Sequence, residues 1–116
     1  MMPVIDQSWV PAACTLPTVE QPLRAREFDE LFRDALTAVH RVDSGRARLV
    51  LRPEPTVAGR VADLAVRETQ CCSFFEFAVT ATGGQLTVDI TAPPGQVAVL
   101  DALVHRAQVA AGLVPR

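Results

Sequence analysis

The sequence contains no lysine and no tyrosine, and only 5% of its residues are aromatic. All 11 basic residues are therefore arginines, and 13 acidic residues outnumber them, which gives a formal net charge of -2. A protein that binds nucleic acid needs a concentrated basic face for the phosphates. We therefore expect no nucleic acid among its partners.

The sequence also lacks a long apolar run and a targeting signal. No run approaches the roughly 20 apolar residues of a membrane-spanning helix, and the first residues show no basic stretch followed by an apolar one. We expect a cytoplasmic protein with no membrane partner. Three cysteines cannot all pair within one chain, so they do not resemble the disulfide framework of a secreted domain, and we expect reduced thiols.

The prolines predict an extended arm followed by one domain. Residues 1–22 hold four of the nine prolines, which helix interiors and central strands exclude. This arm also carries large apolar side chains that favour burial, namely Val4, Ile5, Trp9, Val10, Leu16 and Val19. Residues 23–116 are long enough to bury one core without a metal or a disulfide, so we expect them to form a single domain.

Hydrophobic periodicity divides that domain into helices and hairpins. Apolar residues recur at helical spacing in 23–36, in 56–70 and again after Pro93-Pro94-Gly95. Two strands, 37–42 and 46–52, are joined by the turn residues 43–45, and a second pair of alternating segments flanks Gly83-Gly84. The order is a helix followed by two β-β-α units.

The two units show a weak internal repeat at an offset of 38 residues. The matching pairs are Pro55 and Pro93, Val61 and Val99, Asp63 and Asp101, and Val66 and Val104. Two such units predict an α+β fold, in which a four-stranded antiparallel sheet carries the helices on one face. The other face is then either solvated or a dimer surface.

The residues with the most distinctive chemistry are the adjacent Cys71 and Cys72, at the predicted end of the second helix. Neighbouring residues of a helix point about 100° apart, so both thiolates can bind one ion only if the backbone changes direction after Cys71. Thiolates prefer soft or borderline ions such as Hg(II), Cu(I), Zn(II) and trivalent arsenic. Cys14, in the arm, is the one further cysteine that could complete a trigonal site.

Two other interpretations of the cysteines stay open. Free cysteines often serve as small buried hydrophobic residues, and a disulfide from Cys14 to Cys71 or Cys72 would attach the arm to the domain if the Cα atoms come within about 7 Å. A structural zinc site is disfavoured, since there is no C-x-x-C spacing and His40 and His105 are far from every cysteine in the sequence.

Glu68 falls on the apolar stripe of the second helix, which places a carboxylate on the face that points to the core. Such a group either forms a salt bridge with an arginine or transfers a proton beside the thiols. Common motifs for nucleotide binding, metalloproteases and serine hydrolases are absent from the sequence. Whether the chain is an enzyme therefore depends on Glu68 and the cysteines.

The chain resembles a family of small uncharacterised actinobacterial proteins. The residues that carry the resemblance are Cys14-Thr-Leu-Pro-Thr in the arm, Glu27-Phe-Asp-Glu-Leu-Phe32 and Arg67-Glu-Thr-Gln-Cys-Cys-Ser-Phe-Phe75. The resemblance implies a setting of thiol-based metal handling and carries over Cys14, Cys71, Cys72 and Glu68. A more distant similarity is to organomercurial lyases, which use two cysteines and a carboxylate to hold mercury and deliver a proton.

The sequence thus predicts binding or sequestration of a thiophilic ion of Hg, As, Cu or Zn by Cys14, Cys71 and Cys72. The alternatives are a thiol enzyme that acts on an organometallic or redox substrate, with Glu68 as the catalytic residue, and a small dimeric module with structural cysteines. The apolar arm and Phe74, placed opposite Phe75 and Phe77, need cover, so we expect a homodimer. The competing prediction is a monomer whose arm folds back over its own sheet.

Overall fold

The computed structural model describes residues 21–71 and 74–115. Three helices and four strands follow one another in the predicted order, which confirms the α+β fold. The elements are α1 (Gln21–Ala35), β1 (Leu36–Asp43), β2 (Arg46–Leu51), α2 (Pro55–Cys71), β3 (Glu76–Thr82), β4 (Gln85–Thr91) and α3 (Val97–Ala110), with a short 3-10 turn at Pro94–Gln96. Residues 1–20 of the predicted arm lie outside the described residues. α1 begins at Gln21, two residues earlier than expected.

The four strands form one antiparallel sheet in the order β1-β2-β4-β3. Alternation in the central strands directs Ala47, Leu49 and Leu51 of β2 to the same face as Leu86, Val88 and Ile90 of β4. All six are buried. The opposite face of β2 and β4 carries half-buried or exposed arginine, threonine and aspartate side chains, so the core lies on one side of the sheet.

The helices cover the apolar face. α1 packs against both α2 and α3, while α2 packs on β3 and α3 packs on β1. A bidentate pair between Arg106 and Asp29, at 2.8 Å, joins α3 to α1. Within the described ranges, none of the three helices combines the length and the apolar composition that crossing a bilayer requires.

The internal repeat is present in the structure, but its offset is 39 residues and the predicted 38 is wrong. An offset of 39 places the turn Ser44-Gly45 on Gly83-Gly84 and relates the buried residues of the two units. The related buried pairs are Leu36 and Phe75, Ala47 and Leu86, Leu49 and Val88, Leu51 and Ile90, Val61 and Leu100, Leu64 and Leu103, and Ala65 and Val104. An alignment that follows the four identities at 38 would shift each strand of one unit by one residue against its counterpart in the other. Inward-facing residues would then be matched with outward-facing ones.

The repeat gives the sheet an approximate twofold axis. Leu49 and Val88 are related by the offset of 39 and are also partners in the antiparallel pairing of β2 with β4. The axis therefore passes between these two residues, perpendicular to the sheet. α1 has no counterpart in the repeat and packs against both related helices.

Candidate thiol site at the end of the second helix

α2 carries the sequence-predicted carboxylate to the edge of the core. The helix buries Val57, Val61, Leu64 and Ala65 on one stripe, and Glu68 continues that stripe with only 2% of its surface exposed. Among the residues that the structure describes, Glu68 is the one charged side chain in the buried class. The prediction that this carboxylate faces the core is confirmed.

The same helix ends at Cys71, three residues beyond Glu68. Positions three apart in an α-helix lie on one face, so the backbone places Cys71 on the side of the helix that carries Glu68. Cys14 and Cys72 lie outside the described residues, so their convergence with Cys71 stays a prediction. The predicted transition from helix to strand is confirmed, because α2 ends at Cys71 and β3 begins at Glu76.

The direction of α1 is the feature that sequence reasoning missed. Arg67 donates to Glu27 at 3.0 Å and Arg60 donates to Asp34 at 3.2 Å, so the two helices run antiparallel. The first residue of α1, Gln21, therefore lies at the same end of the helix pair as Cys71. No sequence pattern within either helix indicates this direction, because it depends on the hairpin between them.

This arrangement brings the attachment point of residues 1–20 to the thiol end of α2. Cys14 precedes Gln21 by seven residues. An extended chain spans at most about 3.6 Å per residue, so seven residues reach up to about 25 Å. Cys71 is well within that reach because the two helices are in contact.

An arginine network holds α1 and α2 together beside the site. Arg67 donates to Asp63 at 2.8 Å as well as to Glu27, and these hydrogen bonds, led by that to Asp63, raise the pKa of the guanidinium. Both acids are surface groups of their helices. The Arg67–Glu27 pair joins the two helices toward the ends that a site built from Cys14 and Cys71 would require.

A cluster of phenylalanines anchors the chain after the cysteine pair. Phe75 is 3% exposed, and its ring centroid lies 4.6 Å from that of Phe74 and 6.0 Å from that of Phe77. Phe74 precedes β3 and is half-buried against the core, so its predicted place on the opposite strand face is wrong. The three rings form one apolar cluster at this end of the sheet.

The two histidines take no part in this end of the molecule. His40 is exposed on β1 opposite Arg48, and His105 is exposed on α3. In the described ranges 21–71 and 74–115, no cluster of three or more His, Cys, Asp or Glu side chains is arranged to hold a metal ion. Cys14 and Cys72 lie outside those ranges.

Three arginines in and after the first hairpin, Arg48, Arg52 and Arg60, are paired with carboxylates. Arg48 donates two hydrogen bonds to Asp89, at 2.8 and 2.9 Å, which raises the pKa of Arg48. Arg52 pairs with Glu54 at 3.0 Å, and Arg60 pairs with Asp34. These pairs lie on the exposed surface, where charged side chains of opposite sign commonly meet.

A cavity of about 400 Å³ lies at the opposite end of α2. Pro53, Pro55 and Ala58 line one side, and the β3–β4 turn at Gly83 and Gly84 lines the other. At the equivalent place in the second unit, a hydrogen bond takes the place of the cavity: the N–H of Ala92 donates to the carbonyl oxygen of Gly45 at 2.8 Å. Pro53 is the repeat counterpart of Ala92 and has no N–H, so the first unit lacks this hydrogen bond.

Comparison of the chain with protein-family models, with curated proteins and with solved structures gives no match.

Proposed function

We propose that the protein binds a thiophilic metal or metalloid ion, of Hg, As, Cu or Zn, through the thiolates of Cys14, Cys71 and Cys72. The observation that carries the proposal is the antiparallel pairing of α1 and α2. It brings the point where the Cys14 segment joins the domain to the end of α2 that holds Cys71. Three thiolates around one ion suit the trigonal coordination of soft ions.

The proposed site has a defined dependence on pH and on redox state. Thiols must lose their protons to bind the ion, so affinity falls as the pH is lowered. The reducing cytoplasm keeps cysteines as thiols, and we propose it as the compartment. We propose that binding is a function of the protein and not a condition for its folding, because a domain of this length can bury one core without a metal.

The experiment is a titration of the reduced full chain with Hg(II), As(III), Cu(I) and Zn(II), each against a competing chelator. The test variants are Cys14→Ser and the double variant Cys71→Ser/Cys72→Ser, and Ser73→Ala is the matched control. We expect the double variant to lose stoichiometric binding, Cys14→Ser to bind more weakly, and the control to match wild type. Equal binding by wild type and the double variant contradicts the proposal.

A second candidate is an enzyme at the same site, and the burial of Glu68 favours it. Glu68 is buried and lies three residues before Cys71 in α2, and we propose that its carboxyl delivers a proton when a carbon–mercury bond breaks. In that step the carbon takes the proton and the mercury stays on the thiolates. Turnover of an organomercurial that is lost in Glu68→Gln while Hg(II) binding persists supports the enzyme. Binding without turnover in wild type supports capture alone.

A further inference from the structure

The sheet has two edges, and they are protected differently. β1 carries two register irregularities and the charged side chains Arg41 and Asp43, features that hinder pairing with another strand. β3 pairs with β4 in regular register from Glu76 to Thr82, and Glu76 is its only charged residue. Six of its seven residues are exposed, so within the described chain β3 is the unprotected edge.

The hairpin geometry shows which backbone groups of β3 point outward. Gly83 and Gly84 form a two-residue turn with φ of 59° and 76°, the conformation of the tight hairpin turns. The flanking pair Thr82 and Gln85 then exchanges hydrogen bonds, and this pattern alternates along the hairpin. The N–H and C=O groups of Phe77, Val79 and Ala81 consequently point away from β4.

We propose that β3 pairs antiparallel with β3 of a second copy of this chain, about a twofold axis at Val79. In this register Val79 faces its own counterpart, and Phe77 faces Ala81 of the other copy. All three outward residues then form hydrogen-bonded pairs, which gives six backbone hydrogen bonds at the junction. The two sheets become one continuous sheet of eight strands.

The strand is self-complementary in this register. The large ring of Phe77 meets the small side chain of Ala81, and no charged residue faces a like charge because Glu76 lies opposite Thr82. Val79 is 40% exposed in the single chain, although it shares its sheet face with the buried core. A second β3 covers this exposed apolar side chain with its own copy.

The side of α2 above this edge allows a second copy to approach. Arg60 and Arg67 face α1, so the helical period places Ala58 and Ala62 on the opposite side of α2. Val66 follows them and is 56% exposed. The proposed twofold axis brings two α2 helices to the same face of the combined sheet, and these small side chains leave room for both.

The test is the mass of the full chain in solution, measured by sedimentation over a range of concentrations. We expect wild type to sediment at twice 12.5 kDa and Val79→Lys to sediment as a monomer, because two ammonium groups then face each other at the axis. Thr80→Lys is the matched control, since residue 80 is exposed on the other sheet face and does not meet its own copy. It should remain a dimer.

A charge-swap mixture distinguishes this junction from any other contact. An equimolar mixture of Val79→Lys and Val79→Glu should recover the dimer, although each variant alone is monomeric. A wild-type monomer at all concentrations overturns the proposal and indicates that the chain's own residues 1–20 or solvent cover the edge. A Val79→Lys dimer overturns it as well.

Discussion

Leu49 and Val88 face each other where the two β-β-α units meet, and both are almost completely buried. Leu49→Ala removes three carbon atoms from this position. At about 0.8 kcal/mol for each buried CH₂ group, the lost transfer free energy is about 2.4 kcal/mol. The cavity left behind in a rigid sheet centre raises the cost to about 3 kcal/mol.

This free energy corresponds to a large shift in the melting temperature. With about 2.1 cal/mol/K of unfolding entropy per residue, a chain of 116 residues has about 0.24 kcal/mol/K. A loss of about 3 kcal/mol therefore lowers Tm by about 12 °C. Circular dichroism measures the shift, and urea denaturation should show a lower midpoint with an unchanged slope.

Val50→Ala is the control for this prediction. Val50 is the next residue of β2, points to the opposite face of the sheet and is half-buried. Its truncation should cost less than about 1 kcal/mol, or under about 4 °C in Tm. Equal shifts for Leu49→Ala and Val50→Ala would refute the one-sided core.

Two further predictions concern charge and backbone. The hydrogen bonds from Arg48 lower the pKa of Asp89. The paired carboxylate therefore stabilises the fold fully at pH values above the ordinary pKa of Asp, and this contribution is lost as the pH falls through the lowered pKa. Urea midpoints between about pH 5 and pH 2 should therefore fall more steeply for wild type than for Asp89→Asn, and parallel curves would contradict the linkage. Gly59→Ala should stabilise by about 0.5–1 kcal/mol, because α2 has open space there. Gly45→Ala should lower Tm, since its Cβ would lie 3.1 Å from the carbonyl oxygen of Ala92, and shifts of the same sign would contradict this reasoning.

The order of helices and strands was predictable because each is encoded by a local period. Glu68 was assigned to the core face for the same reason, since it continues the stripe of Val61 and Leu64 and is buried as expected. The Gly83-Gly84 hairpin was predictable because both central positions of a tight hairpin turn need positive φ, a conformation that glycine adopts readily. These features depend on a few neighbouring residues.

Features that depend on distant residues were not predictable from one sequence. The repeat offset was misplaced by one because identities such as Pro55 with Pro93 outweighed the pattern of burial, which only the register of β2 with β4 reveals. The cavity beside Pro53 depends on its position against Gly84, which belongs to the other unit. The closeness of Gln21 to the end of α2 depends on how α1 packs after the intervening hairpin.

The packing of each helix on the strands of the other unit has a consequence for folding. α2 follows β2 but covers β3, and α3 follows β4 but covers β1. Neither β-β-α segment can therefore cover its own strands by itself. The two units exchange their helices, as two copies do in a domain-swapped dimer, but here both units belong to one chain. The molecule contains no autonomous half, so no unit is stable until the other is in place. Its unfolding should accordingly be one cooperative transition, without a folded fragment as an intermediate.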